Sequence, residues 1–162
     1  MVFDMKKDRF FLIAIVVVAI VGCGVKRSQA YYDYKSKVIG SELDGTYTIR
    51  AYGRARNSID AFEQARKQAV YDVIFNGVQA SSSNLQDLKP ILFDKNAKDR
   101  HEDYFNAFFA DKGDYEQYVS MKERRLMSSN FARTNTQAVV QVTVCVDRAK
   151  LKQRLIQDQI LK

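Results

Sequence analysis

Cys23 is the residue whose type and setting point most directly to chemistry. Ile20-Val21-Gly22-Cys23 closes an apolar run, Phe10 to Gly22, that holds 13 residues without a charge. Lys6, Lys7 and Arg9 precede it. A basic start, an apolar middle and a small residue at the cut make up the layout of an export signal. A membrane-spanning helix needs roughly 20 apolar residues, so this run is short for a span. The small Gly22 gives a peptidase access to the bond before Cys23, and the four residues read as a lipoprotein cleavage box. The chemistry expected there is a thioether between Sγ and a diacylglycerol, then cleavage, then an amide-linked acyl chain (palmitate) on the new amino group. Two or more buried chains hold a protein stably, because each CH₂ contributes about 0.8 kcal/mol. The competing readings are an uncleaved signal anchor and a short buried strand with a core cysteine.

The other reactive side chains do not assemble into a constellation. His101 is the sole histidine and is followed by Glu102 and Asp103. Neighbours on a helix point in different directions, so the trio lacks metal-ligand spacing. One unplaced histidine does not argue for a Ser-His-Asp set. Gly40, Gly45 and Gly53 are scattered and form no phosphate loop. Asp111 with Asp114 fits a helix end and a turn. Cys145 is the second of two cysteines. With Cys23 lipidated no intramolecular disulfide remains, and Cys145 fits a small half-buried strand residue. The expectation is a protein that is not an enzyme, with no metal and no cofactor beyond the diacylglycerol and acyl chain on Cys23.

Removing 22 of the 162 residues leaves 140, enough for one domain with a real core. The removed piece carries Lys6, Lys7 and Arg9 against Asp4 and Asp8, so the remainder keeps +6 of the chain's +7. In a cytosolic protein a basic excess suggests nucleic acid. An exported protein meets little of it, and its basic face would meet lipid phosphates, acidic polymers or an acidic partner. No nucleic acid is expected. Gly24, Val25, Lys26 and Arg27 follow the anchor. By similarity to lipoprotein sorting patterns, the lack of an adjacent aspartate and of an acidic run points to the outer membrane, facing the periplasm.

The domain plan is 1–22 lipoprotein signal peptide, 23–44 lipidated tether, and 45–162 a single α+β periplasmic domain. The tether mixes Tyr31, Tyr32 and Tyr34 with Lys, Ser and Gly and shows no sustained period. Thr46 to Arg56 alternates as a strand. Tyr47, Ile49, Ala51 and Gly53 share one face, and Thr48, Arg50, Tyr52 and Arg54 the other. Asn57 or Ser58 caps a helix to about Phe75 that buries Phe62, Ala65, Ala69, Val73 and Ile74. Ala61, Ala65 and Ala69 form a smooth ridge that lets a sheet come close. Glu63 and Lys67 form an i, i+4 pair, and Asn76-Gly77 stops the helix. Ser81 to Asn84 is an exposed loop, and Asn96 to Arg100 is irregular. His101 to Ala110 is a helix whose Tyr104, Phe105, Phe108 and Phe109 pack in the core. Tyr115 and Tyr118 fall outside that pattern and are freer to be surface contacts. Strands follow at Tyr118 to Met127 and Gln137 to Asp147, joined by a polar connection. Asp147 caps a last helix burying Leu151 and Leu155. The fold expected is α+β: a small three-stranded or slightly larger, mostly antiparallel sheet with helices packed on one face.

Two segments carry a resemblance. Gly45 to Arg54 runs into Asp60-Ala61-Phe62-Glu63-Gln64-Ala65-Arg66-Lys67-Gln68-Ala69-Val70, and the valine-rich strand from Val140 passes into Leu151-Lys152-Gln153-Arg154-Leu155. Together they resemble the strand–helix unit of small envelope lipoproteins related to the N-terminal domain of flagellar-assembly protein T. Asp72 to Gly77 and Glu102-Asp103-Tyr104-Phe105 are similar to segments of Bacteroidota lipoproteins. Those include the outer-membrane lipoprotein of the type VI secretion envelope complex (TssQ-like). The resemblance implies an assembly or scaffold part with no catalytic residue. The function expected is a lipid-anchored periplasmic adaptor of a trans-envelope assembly, a secretion system, contacting other envelope-complex proteins and able to oligomerise. Arg50, Tyr52 and Arg54 on one strand face, and Arg133 in the loop Ser128 to Thr136, are the candidate partner contacts. The alternative is a stand-alone periplasmic binding module for an anionic ligand or polymer.

Overall fold

The computed structural model describes residues 34–94, 96–122 and 137–161, and the backbone alone of 132–133. The signal run, Cys23 and the first part of the predicted tether lie outside the described residues. The strands are β1 (Lys37–Ser41), β2 (Thr46–Ala55), β3 (Gln79–Ala80), β4 (Val119–Met121), β5 (Ala132–Arg133) and β6 (Ala138–Asp147). The helices are α1 (Ser58–Tyr71), α2 (Ala97–Arg100), α3 (Glu102–Phe108) and α4 (Arg148–Gln157). The strands make one sheet in the order β3-β1-β2-β6-β4, with β5 also pairing β6. β1 pairs β3 in parallel and the other pairings are antiparallel, so the sheet is mixed. This is the α+β fold expected from the sequence, with a larger sheet.

β2 and β6 form its centre, in register from Thr46↔Asp147 to Ala55↔Ala138. Strand alternation places Ile49 and Ala51 on the same face as Val142, Val144 and Val146, all buried. α1 lies on that face. Asn57 accepts the Asp60 N–H at 2.9 Å and so caps the helix. Ala61, Ala65 and Ala69 are fully buried against the sheet. A Cβ at Gly53 would sit 1.8 Å from the Ala61 carbonyl oxygen, so helix and strand backbones touch there. After Tyr71 the helix widens into a π-turn, Asp72–Asn76, closed by Gly77 at φ 75. Asp147 accepts the Lys150 N–H at 2.9 Å and caps α4, which buries Leu151 and Leu155.

Several local expectations are corrected. The segment read as tether, 23–44, contains β1, whose Val38 is buried opposite Ile49. A strand with one apolar pair, Val38-Ile39, is too short to show a period. Asn96 to Arg100, read as irregular, holds the helical turn α2. Phe62 is half-buried, because the ridge at Ala61, Ala65 and Ala69 takes the face toward the sheet. Glu63 pairs with Arg66 at 3.0 Å and Lys67 with Asp111 at 2.7 Å, so the expected Glu63–Lys67 pair is replaced by partners offering closer geometry. Tyr118 ends a 3₁₀ turn, Asp114–Tyr118, and the strand begins at Val119. Tyr115 and Tyr118 are buried rather than surface residues. The chain turns back at Gly113 and lays Tyr115 against α1, where its hydroxyl donates to Glu63 at 2.9 Å.

Candidate functional site: the cationic sheet face and its edge cleft

The buried residues of α1 to α4 all belong to the core on the Ile49 face, together with Val140, Val142, Val144 and Val146. Among the described residues no helix contributes to the opposite face. That face is built by the other half of each alternation: Thr48, Arg50, Tyr52 and Arg54 of β2. Across β6 these meet Cys145, Thr143, Gln141 and Val139, and Lys37 of β1 lies opposite Arg50. The structure therefore brings Arg50, Tyr52 and Arg54 together as their spacing predicts. Arg50 and Tyr52 are half-buried and Arg54 is exposed, whereas Thr48 and Val139 on the same face are buried, at 2% and 7% exposure. Arg133 lies on β5 opposite Ala138, and its side chain is outside the described residues.

The face is organised by aromatic and cationic contacts. The Tyr34 ring meets Tyr52 edge-on, centroids 5.6 Å apart, and the Arg54 guanidinium stands 5.2 Å from the Tyr34 centroid. Such a cation–π contact contributes about 0.5–1 kcal/mol at an exposed site. Lys122 reaches over from the end of β4. Its Nζ donates to Thr48 Oγ1 at 3.2 Å and lies 3.8 Å from Glu42. The ion pairs of the described residues leave out Lys37, Arg50 and Arg54. The Arg50 Nε–H is buried with no acceptor among the described residues. Cys145 is half-exposed, its Sγ 3.8 Å from Thr48 Oγ1.

Beside Tyr34 and Tyr52, at the sheet edge, opens a cleft of about 510 Å³ lined also by Ser36, Gln68, Asp72, Asn76 and Gln79. Asp72 is its buried charged group, 7% exposed. Its carboxylate accepts from Ser36 Oγ at 2.5 Å, Gln68 Nε2 at 2.8 Å and Asn76 Nδ2 at 2.7 Å. The hydrogen bonds tie β1 to the end of α1, and the π-turn supplies the rotation that brings Asp72 and Asn76 toward Ser36. Asp72 was not singled out from the sequence as a site residue. The signal was an acid followed by Val73-Ile74 inside an apolar stretch, the position where a buried carboxylate needs partners.

The helix layer carries acids already engaged by cations. Arg154 joins Asp158 at 2.6 Å and Asp114 at 3.2 Å, and Tyr104 donates to Asp158 at 2.7 Å. The Tyr104 hydrogen bond, opposed by burial and reinforced by Arg154, holds the Asp158 carboxyl below the usual range. Burial first, and then the bond to Asp158, push the Tyr104 phenol up. His101 ends α2 and forms no metal set with Glu102 and Asp103. Among the described residues no group of three or more His, Cys, Asp or Glu is placed to hold a metal. No helix among them is long and apolar enough to cross a membrane.

No protein-family model, curated protein or solved structure matches this chain.

Proposed function

We propose that this chain is a non-catalytic, lipid-anchored periplasmic adaptor of a trans-envelope assembly, a secretion system. The acyl chains on Cys23 hold it at the outer membrane and the folded domain supplies the contacts. The observation that carries the reading is the sheet face of Arg50, Tyr52 and Arg54. It has no helix over it among the described residues, and its cations take no part in their ion pairs. Membrane confinement raises the effective concentration for a weak contact, so a small surface is enough. The resemblance to envelope lipoproteins supports the same reading.

The test is in-cell photo-crosslinking with mass spectrometry. Crosslinkers are placed at Tyr52 on the sheet face and at Ile59, an exposed residue of α1, beside a Cys23→Ala control. Envelope subunits captured from either position, and lost in the control, support the adaptor. Recovery of the acylated, folded chain with no protein partner from both positions would overturn it. A second reading, a stand-alone module for an anionic ligand or polymer, draws on the same Lys37, Arg50 and Arg54, which take part in none of the ion pairs of the described residues. It requires soluble polyanion binding that persists in the Cys23→Ala chain and weakens with salt.

A further inference from the structure

We propose that the edge cleft beside Tyr34 and Tyr52 is a binding site for a free α-amino acid, with Asp72 taking the ammonium group. The cleft's volume of about 510 Å³ falls within the range of roughly 300–1,000 Å³ found for small-molecule sites. Asp72 is the one acidic or basic side chain among the described residues that is buried, at 7% exposure. It takes part in none of their ion pairs. The other acids outside those pairs, such as Asp87 and Glu102, are exposed, and water answers their charge. Asp72 has little water, and its donors, Ser36 Oγ, Gln68 Nε2 and Asn76 Nδ2, are all neutral. They satisfy its hydrogen bonding without supplying a counter-charge. A buried charge is screened less than a surface one, so its field extends into the cleft it lines.

A carboxylate has about four lone-pair sites, so the three donors leave Asp72 able to accept from a ligand. Because a carboxylate only accepts, it fixes the Gln68 and Asn76 amides with an N–H toward itself. Each amide keeps a carbonyl oxygen, which can accept from an ammonium, and a second N–H, which can donate to a carboxylate. Gln79 adds a third amide, and the exposed Lys35 adds a cation to the wall. The lining therefore joins acceptors around a buried negative charge to donors beside a solvated positive one. A neutral sugar would engage the amides and leave Asp72 without a counter-ion. A simple anion would meet the Asp72 charge at close range. A zwitterion with ammonium and carboxylate on one carbon meets both halves. The Tyr52 ring, also on the wall, offers its side chain an apolar surface. The site asks nothing of Arg50 or Arg54, so its failure leaves the adaptor reading untouched.

The experiment uses the full chain in neutral detergent, melted in the presence of each common L-amino acid at millimolar concentration. Those that raise Tm are then titrated by calorimetry. At least one should bind, and its N-acetyl derivative, which lacks the ammonium, should not. Asp72→Asn keeps the shape and removes the charge, and should weaken binding by about 10- to 100-fold. That variant also touches the tie to Ser36, so Gln79→Ala is measured beside it. Gln79 is exposed and makes no bond to Asp72. Its removal should weaken binding by about fivefold and leave the Tm of the ligand-free chain unchanged. If Asp72→Asn does not fold, the N-acetyl comparison and Gln79→Ala decide. Binding by none of the amino acids overturns the proposal, and Asp72 is then a structural tie alone. Equal binding of the N-acetyl derivative overturns it too, as does full affinity in both variants. So does binding of N-acetylglucosamine in place of any amino acid, which would mark a site for neutral sugars.

Discussion

Gly53→Ala tests the contact that sets which side of the sheet the helices occupy. The new Cβ would lie 1.8 Å from the Ala61 carbonyl oxygen and 2.4 Å from the Ala65 nitrogen. Both are backbone atoms, so no side chain can rotate away. Restoring ordinary contact requires α1 to retreat by ~1.5 Å. A radial gap of about 0.5–1 Å already forfeits a quarter to a half of a contact's attraction. The retreat therefore loosens Ala61, Ala65 and Ala69 together, and behind them Val70, Val73 and Ile74, all fully buried. Overpacking costs about 1–3 kcal/mol where side chains can adjust. A backbone clash in mid-helix belongs at or above the top of that range, at about 3–4 kcal/mol. Against a total of about 5–15 kcal/mol that is a large share, and it lowers Tm by roughly 10 °C.

The assay is urea unfolding followed by far-UV circular dichroism, with thermal melts alongside. Gly40→Ala is the matched control. Its Cβ would meet Thr48 at 3.5 Å, an ordinary contact, and should change stability by no more than about 0.5 kcal/mol. A Gly53→Ala chain within about 1 kcal/mol of the parent, at the same urea slope, would refute the close approach. So would an equal loss in both variants, since glycine flexibility rather than packing would then be at work.

Three further outcomes follow from the polar contacts. Asp147→Ala should remove the α4 cap at a cost of about 1 kcal/mol. Burial opposes the Asp147 charge, but the Lys150 N–H and ammonium outweigh it and hold the carboxyl below the usual range. The parent's advantage over this variant should therefore be full above pH ~4 and fade as pH falls below it, read from urea midpoints across acid pH. Burial and then Asp158 raise the Tyr104 phenol. Its contribution is present below pH ~10 and lost as pH rises further, and Tyr104→Phe should flatten that alkaline decline in stability. Asp72→Ala strands the Ser36 hydroxyl and the Gln68 and Asn76 amides, a loss of about 2–4 kcal/mol. Amide exchange at Val38 should accelerate more than at Val144, because the broken tie holds β1 rather than the sheet centre.

What the sequence reveals and what it hides divide along contact range. β6 was legible because ten residues of alternation at Ala138–Asp147 cover five periods. α1 was legible because Asn57 caps it and alanines recur every fourth residue. β1 was not, since Lys37–Ser41 is held by pairing to β2 and by the Ser36–Asp72 bond, both set by distant residues. Tyr115 escaped for the same reason. Its burial depends on Glu63, 52 positions away, and nothing in Asp114-Tyr115-Glu116 marks it. The π-turn at Asp72 is also unmarked locally, as it is stabilised by what the turn lets Asp72 and Asn76 reach.

The cationic face shows how local and distant information combine. Alternation alone places Arg50, Tyr52 and Arg54 on one side of β2, but it does not say which side the helices take. Size complementarity decides that. The Ile49 side carries Ala51 and Gly53, and α1 offers Ala61 and Ala65, so two backbones can close to contact. The other side carries two guanidiniums and a tyrosine, which would hold a helix off and bury charge without partners. The same small residues that draw the helix to one side thus leave the cationic side without a helix among the described residues. Adding a methyl at Gly53 should weaken the first choice without making the second available, which is why the expected result is a loss of stability and not a helix moved across the sheet.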